Sequence, residues 1–449
     1  MSTSFDNSHL TALTDLINAA VQDVIFEYAA VGKAVPTLDS LEPGPFDIPE
    51  ETPAKLSRAV QIIEAACAQL AHTVASPGHV VVNKSLEHEE PACLLVVTEA
   101  KIADLLLDKP EGVHVDELAR WSELDAGKLG RILRVLATKH CFREEISLVK
   151  PGVFANNRHS LKLLSTDATS SIVSLLTDES LLASAHLNET MTNPSEKDNG
   201  IPFQRATGHA FFDYYRLPQG QRQGQRFPRA MVGWGDVTGK GLVAKAYPWT
   251  SVPADSTVCD VAGGNGHVTM GLMKVHPHLR VVLQDQAHVI DQAEEFWKKN
   301  HPEAVSNQRI EFVPFNFFKD AAAEGCDFYY IRSILRDWPD DQSITILKNA
   351  RKAMKPSSKL IIHDTVLRNS VRDPSSQEEQ EFDYAPEPLL PNWGAARVRT
   401  YHLDMTMMNL LNAQARTLPE FVELCQKCDL KFHKLYPAGE TDLVEFVPA

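Results

Sequence analysis

From residue 254 onward the apolar positions fall in short unbroken runs separated by amphipathic stretches. STVCDVAGG, LRVVLQD, IEFVPFNFF, CDFYYIRSIL and SKLIIHDTVL are such runs, each of strand length. Between them, GHVTMGLMKVHP, HVIDQAEEFWKKNHP and DQSITILKNARKAMKP carry apolar residues at helical spacing. Strands that are apolar throughout are buried on both faces, so the pattern predicts a parallel sheet covered by helices. LPEFVELCQKCDL and KFHKLYPAGETDLVEFVP add a helix and an edge hairpin.

Upstream the spacing is helical. Residues 10–75 read as helices broken by the acidic, Pro-rich LDSLEPGPFDIPEETP. EAKIADLLLDKP, HVDELARWSEL and DAGKLGRILRVLATKHCFREE are amphipathic helices, and ISLVKPGVFANN reads as a hairpin after them. Three helices and a wing describe a winged helix. Residues 160–250 read as mainly helical around HAFFDYYRLP, with QGQRQGQRFPR as a solvated low-complexity turn. Residues 368–396 read as a long surface loop.

Composition narrows the classes. The chain has 449 residues and a net charge of -15, from 44 basic and 59 acidic side chains. That length points to two domains, and the acidity argues against a nucleic-acid or anionic-membrane partner, so the winged helix reads as an interaction module. No run approaches the roughly 18 apolar residues of a spanning helix. MSTSFDNSHLTALTD lacks a signal-peptide pattern, and seven cysteines are sparse for this length, so a reduced, cytoplasmic protein is expected. Cys425 and Cys428 form a CxxC without a second pair and read as core thiols; no metal site is expected.

The chemistry begins at CDVAGGNGHVTM. Gly263, Gly264 and Gly266 allow a tight turn and close backbone approach to a ligand at a helix N-terminus. A dinucleotide fingerprint would need a third glycine where Thr269 stands. Asp260, before the turn, joins the cofactor-binding set, and Asp285 ends the next strand, where a carboxylate suits a ribose diol. The combination favours S-adenosylmethionine (SAM) over NAD.

DVAGGNG, LQDQAHVI, FNFF, ILRDWPDD and KLIIHD, in this order and spacing, resemble the O-methyltransferases of the plant caffeic-acid type and their fungal relatives. The resemblance runs from about residue 95 to the C-terminus. It implies an α/β protein, with a Rossmann-like SAM-binding domain on a mostly parallel sheet, preceded by an all-helical winged-helix dimerisation domain. The implied organisation is an N-terminal helical dimerisation segment (1–94), a winged-helix-like dimerisation domain (95–160), a helical linker and substrate-pocket segment (161–250) and the SAM-binding catalytic domain (251–449). It further implies a homodimer acting on a small polyketide or aromatic molecule. Carried over, Gly263, Gly264 and Gly266 line the methionine end and Asp285 the ribose; Asn316 (usually Asp in the family) and Phe317 flank the adenine. Arg332 takes the place of a basic residue beside the cofactor, and Trp338 walls the adenine side.

One position departs from the family. The residue before Asp-Trp is normally the histidine that takes the acceptor's proton; here it is Arg336, whose guanidinium stays protonated near neutrality. Of the two acidic residues that orient that histidine, one maps to Asp364 and the other to Ala415. The pattern resembles a fungal subgroup of SAM-dependent pericyclases and dehydratases acting on 2-pyridones, in which a basic residue replaces the histidine and another histidine helps activate the substrate. His159 stands at that second place. On this likeness Arg336 polarises a substrate oxygen, His159 relays a proton and the pocket guides dehydration with hetero-Diels-Alder or Alder-ene cyclisation of a polyketide-derived 2-pyridone alcohol. Phe203, Phe211, Phe212, Met231, Trp234 and Met408 are the expected walls. A conventional O-methyltransferase and a non-enzymatic SAM-sensing winged-helix protein are the alternatives.

Overall fold

The computed structural model describes residues 6–145, 151–195, 199–372 and 381–449. The chain forms two compact units, Met1–Val237 and Thr238–Ala449.

In the first unit, the long helices Ser8–Ala30 and Ala54–Val74 pack on each other across the Pro-rich segment. The winged-helix module follows. Its helices Val115–Ser122 and Ala126–Thr138 bury Leu118, Leu129, Leu133 and Leu136, and Asp125 caps the second by accepting from the Lys128 N–H. The wing is a three-stranded antiparallel sheet of β1 (Val113–His114), β2 (Arg143–Glu145) and β3 (Val153–Ala155), in the order β1-β3-β2, so the unit is not purely helical. The turn of the expected hairpin, 146–150, lies outside the described residues.

QGQRQGQRFPR is not a solvated turn but the start of the helix Gln221–Val237. Its Arg226 pairs with Glu179, a buried carboxylate that also accepts from the Tyr215 hydroxyl at 2.9 Å. A buried carboxylate needs such partners, which is why this stretch orders.

The second unit is built on a seven-stranded sheet. β4 (Thr257–Val261), β5 (Arg280–Asp285), β6 (Ile310–Pro314), β7 (Phe328–Arg332) and β8 (Lys359–Asp364) run parallel. A two-stranded parallel pair follows in β9 (Val366–Leu367) and β10 (Arg416–Thr417). The hairpin β11 (Leu430–Ala438) and β12 (Thr441–Pro448) closes the main sheet antiparallel, giving the order β11-β12-β8-β7-β4-β5-β6. The chain leaves β4 towards β5 and β6, then crosses back to β7 on β4's other side. That reversal puts the crevice for a ligand at the carboxyl end of β4.

Helix starts are legible in the chemistry. Thr417 and Glu420 form a capping box for the helix Leu418–Gln426, whose Cys425 and the following Cys428 are buried thiols. The described part of 368–396 is less of a surface loop than its polarity suggests. Phe382, Leu389 and Trp393 are buried, with the Arg368 guanidinium 4.4 Å from the Phe382 ring centre. Residues 373–380 lie outside the described residues.

Candidate active site

The carboxyl ends of β4 to β8 carry the polar and glycine-rich residues singled out above. Each glycine after β4 has its own reason. A Cβ on Gly263 would stand 2.4 Å from Asp260 Oδ2, and one on Gly266 would stand 2.8 Å from Leu283 and the Trp297 indole. Gly264, at φ +61°, has nothing within 4 Å of where its Cβ would be. So two glycines permit internal packing, while the third turns bare backbone towards open space.

Asp285 holds that turn from β5. Its Oδ2 accepts from the Gly264 N–H at 2.9 Å and its Oδ1 from the Gln286 N–H at 2.7 Å. Asp260, expected among the cofactor-binding residues, lies beneath the turn. It is 3% exposed, accepts from the Thr269 hydroxyl at 2.7 Å, and burial pushes its carboxyl up to about 7. Thr269, which spoils the dinucleotide fingerprint, thus supports the glycine turn.

After β6, Asn316 Oδ1 accepts from the Phe318 N–H at 3.0 Å and fixes a turn that brings three aromatics together. Phe317 and Phe318 meet edge to face with ring centres 4.6 Å apart, and Phe318 meets Trp338 at 4.8 Å. Phe318 is missing from the expected wall, although FNFF shows it.

Past β7, Ser333 at φ +54° swings the chain into the turn Leu335–Asp337. Arg336 is 6% exposed, with Nη1 3.6 Å from Asp364 Oδ1 and Nε 3.9 Å from Asp337 Oδ1. Both distances exceed hydrogen-bond length, and Nε and Nη1 have no hydrogen-bond partner. Asp364 is 1% exposed; Oδ1 accepts from the Thr365 N–H at 2.8 Å, Oδ2 has no partner, and burial pushes its carboxyl up. Arg332 Nε is also without a partner. Asp337 keeps 30% of its side chain exposed, and burial pushes its carboxyl up to about 7 against the opposing pull of Arg336.

His363, the histidine beside this cluster, is not free to replace the missing one. Its Nδ1 lies 2.5 Å from the Tyr330 hydroxyl and its Nε2 2.8 Å from Thr441 Oγ1. Burial, Arg332 and Arg336 push its imidazole well down, so it stays neutral. Ala415 is buried, and its N–H donates to Asp404 Oδ1 at 2.8 Å from the helix Val398–Leu411. Neither Asp404 nor the adjacent Arg416 figures among the expected site residues.

Residues 185–429 match the family model of the O-methyltransferase domain, and residues 86–166 that of the O-methyltransferase dimerisation domain. The chain belongs to the O-methyltransferase family. It is 45% identical to 3-O-methyltransferase 2 of Phanerochaete chrysosporium, over 98% of this chain and 97% of that one. It is 30% identical to the O-methyltransferase tpcA of Aspergillus fumigatus, over 98% and 96%. The mitomycin 7-O-methyltransferase MmcR shares the fold with a TM-score of 0.65 at 24% identity, covering 85% of this chain and 99% of that one. SAM is the family's cofactor, and the open backbone at Gly264, the Asp285 carboxylate and the aromatic group around Trp338 suit its parts.

The remaining expected residues lie mostly in the first unit. His159 follows the wing, is exposed, and places Nδ1 2.8 Å from the His140 carbonyl oxygen. Phe203 is fully buried and packs edge-on against Phe211 and Tyr214, so it is core. Phe212 and Met231 retain 41% and 37% exposure; Trp234 is half-buried, as is Met408 in the second unit. Among the described residues no helix is long and apolar enough to cross a membrane.

Proposed function

We propose that the protein transfers the methyl group of SAM to a hydroxyl of a small aromatic or polyketide-derived molecule in fungal secondary metabolism. Arg336 holds the acceptor oxygen as an oxyanion. The observation that carries this reading is the buried guanidinium of Arg336, whose Nε and Nη1 lack hydrogen-bond partners at the strand end where the family keeps its base. A charged donor already desolvated stabilises developing negative charge without reorganising. Bound at the turn, SAM would supply an electrophilic methyl, held by Gly264, Asp285, Phe317, Arg332 and Trp338. Asp364 keeps the guanidinium in place, and the half-buried Met408 supplies an apolar wall. The relatives' names, 3-O-methyltransferase among them, support methyl transfer.

A second reading is favoured by the chemistry of arginine itself. A guanidinium cannot accept a proton near neutrality, and Ala415 leaves no second acidic orienter. On that reading the enzyme is a pericyclase or dehydratase: Arg336 polarises a substrate carbonyl, water is expelled from the alcohol, and SAM remains intact.

Purified protein incubated with SAM and a panel of phenols and 2-pyridone alcohols, followed by mass spectrometry, separates the two. Methyl transfer gives a product heavier by one CH2 and an equivalent of S-adenosylhomocysteine. Dehydration gives loss of water and no S-adenosylhomocysteine. Arg336→Ala should slow either reaction by roughly 10² or more while SAM affinity stays. Arg336→Lys should retain part of the rate, because the charge survives without the planar fork. Methylation unaffected by Arg336→Ala would remove the arginine from the mechanism.

A further inference from the structure

We infer that Asp337 is the general base of this enzyme, taking over from the family's histidine at the neighbouring position. The inference rests on the methyl-transfer reading above. Its geometric ground is the division of labour around one guanidinium. Arg336 stands between two carboxylates, 3.6 Å from Asp364 and 3.9 Å from Asp337, and the two are not equivalent. Asp364 is 1% exposed and accepts from the Thr365 N–H, so it is sealed against a substrate hydroxyl. Asp337 keeps 30% of its side chain open.

Three other acceptors nearby are already engaged. His363 has both ring nitrogens engaged, by Tyr330 and Thr441, and Asp260 lies beneath the glycine turn against Thr269. Asp340, on the same segment, accepts twice from the Arg416 guanidinium.

The site also gives Asp337 a suitable basicity. Arg336 and Asp364 are the charged groups acting on it; Arg332 from β7 and Arg416 from β10 act in turn on Asp364. Burial pushes the Asp337 carboxyl up to about 7, where a general base is most effective at neutral pH. In the step, the acceptor O–H bond breaks and its proton passes to an Asp337 carboxylate oxygen. The pair left on the acceptor oxygen forms the new bond to the methyl carbon while the methyl–sulfur bond breaks, its pair staying on sulfur. The proton then leaves Asp337 for water. Arg336 steadies the oxyanion and Asp337 removes the proton.

Two measurements test this. The first needs no turnover: infrared difference spectra of the full chain without SAM, recorded across pH, with Asp337→Asn identifying the Asp337 carboxyl band. The band should titrate near pH 7, and Arg336→Ala should move the midpoint up, since a neighbouring cation is lost. A midpoint in the ordinary carboxylate range, near 4, overturns the inference. The second is kinetic, with catechol, guaiacol and 4-hydroxybenzoate as probes. Asp337→Asn should lower kcat by roughly 10²–10⁴ and abolish the acid limb of the wild-type pH profile, with SAM affinity by calorimetry unchanged. Asp337→Glu should recover part of the rate. A variant Asp337→Asn within threefold of wild type, with the same acid limb, overturns the base assignment and leaves methyl transfer standing. Wild-type protein that methylates none of the probes overturns the methyl-transfer reading and this inference with it.

Discussion

Replacing Arg416 by methionine tests what holds the turn that carries Arg336. The side chain is 1% exposed, and its guanidinium donates to the carbonyl oxygens of Leu335 at 2.8 Å and Trp338 at 3.0 Å. It also donates to Asp340 Oδ1 at 2.7 Å and to Ser343 Oγ at 3.3 Å. Methionine keeps most of the stem's volume and removes every donor. Bonds from a charged donor are worth about 1.5–3 kcal/mol each. The two carbonyl bonds count nearly in full because they are buried. The Asp340 contact adds under about 1 kcal/mol, since that carboxylate is 51% exposed. Ser343 Oγ lies within 3.2 Å of both carbonyl oxygens, but its single O–H serves only one of them. The Trp338 N–H, 3.3 Å from the Leu335 oxygen, also serves that carbonyl, so the Ser343 hydroxyl can serve Trp338 and neither is left bare. The total is about 3–4 kcal/mol, the lower end of two such bonds because each carbonyl keeps another donor. With two units in the chain, a single global midpoint is a poor readout. Amide hydrogen exchange across 335–343 reads the effect locally: at tenfold per 1.4 kcal/mol, exchange should quicken by roughly 10²–10³. Methyl transfer should fall with it while the glycine turn keeps its affinity for SAM. Unchanged protection across 335–343 would show that the turn holds itself and that Arg416 is replaceable.

Three further outcomes are expected. Gly264→Val should weaken SAM binding beyond detection by calorimetry, because a branched residue is strained at φ +61° and its side chain would enter the open space in front of the turn. Asp260 is held above its ordinary 3.8, at about 7, so its contribution to stability is complete below pH 4 and is lost as pH rises through 7. Asp260→Asn should flatten the fall in the second unit's urea midpoint expected of the wild type between pH 5 and 8, and an unchanged slope would discount the burial. Light scattering at micromolar concentration should give about twice the chain mass of 49.9 kDa, as a dimerisation domain over residues 86–166 leads one to expect, and a monomeric mass would contradict it.

The parallel sheet was legible because its strands are apolar on both faces, and the glycine turn because its residues are adjacent in sequence. Arg336 could be found for a similar reason: it sits in an ordered motif, immediately before Asp337 and Trp338. What escaped was whatever depends on which way a carboxylate turns. Asp260 and Asp285 look alike in sequence; one lies beneath the glycine turn against Thr269 and the other braces the backbone of Gly264. Arg416 reads as an ordinary basic residue before a helix, and only the fold brings it to carbonyls 81 and 78 residues away in sequence. The helix Gln221–Val237 was hidden by its glutamines, glycines and Pro228, since its stabilising partner Glu179 lies 47 positions upstream of Arg226.

The exchange of histidine for arginine changes which acceptors such a site serves best. A histidine at 336 would face Arg332 and would be held neutral by burial, as His363 is. An arginine keeps its charge there, with the carboxyls of Asp337 and Asp364 both pushed up by burial and so only partly able to cancel it. Near pH 7 the cluster therefore presents uncompensated positive charge to the acceptor oxygen. Such a field lowers the energy of a phenolate, and it does so most effectively where the proton is already easy to remove. Across a series of substituted phenols of one size, kcat/KM at pH 7 should rise with acidity until ionisation in solution is complete. In Arg336→Ala the dependence should steepen, because the substrate must then supply the stabilisation that the guanidinium gave. A flat series in both proteins would mean that the oxyanion is not what Arg336 meets.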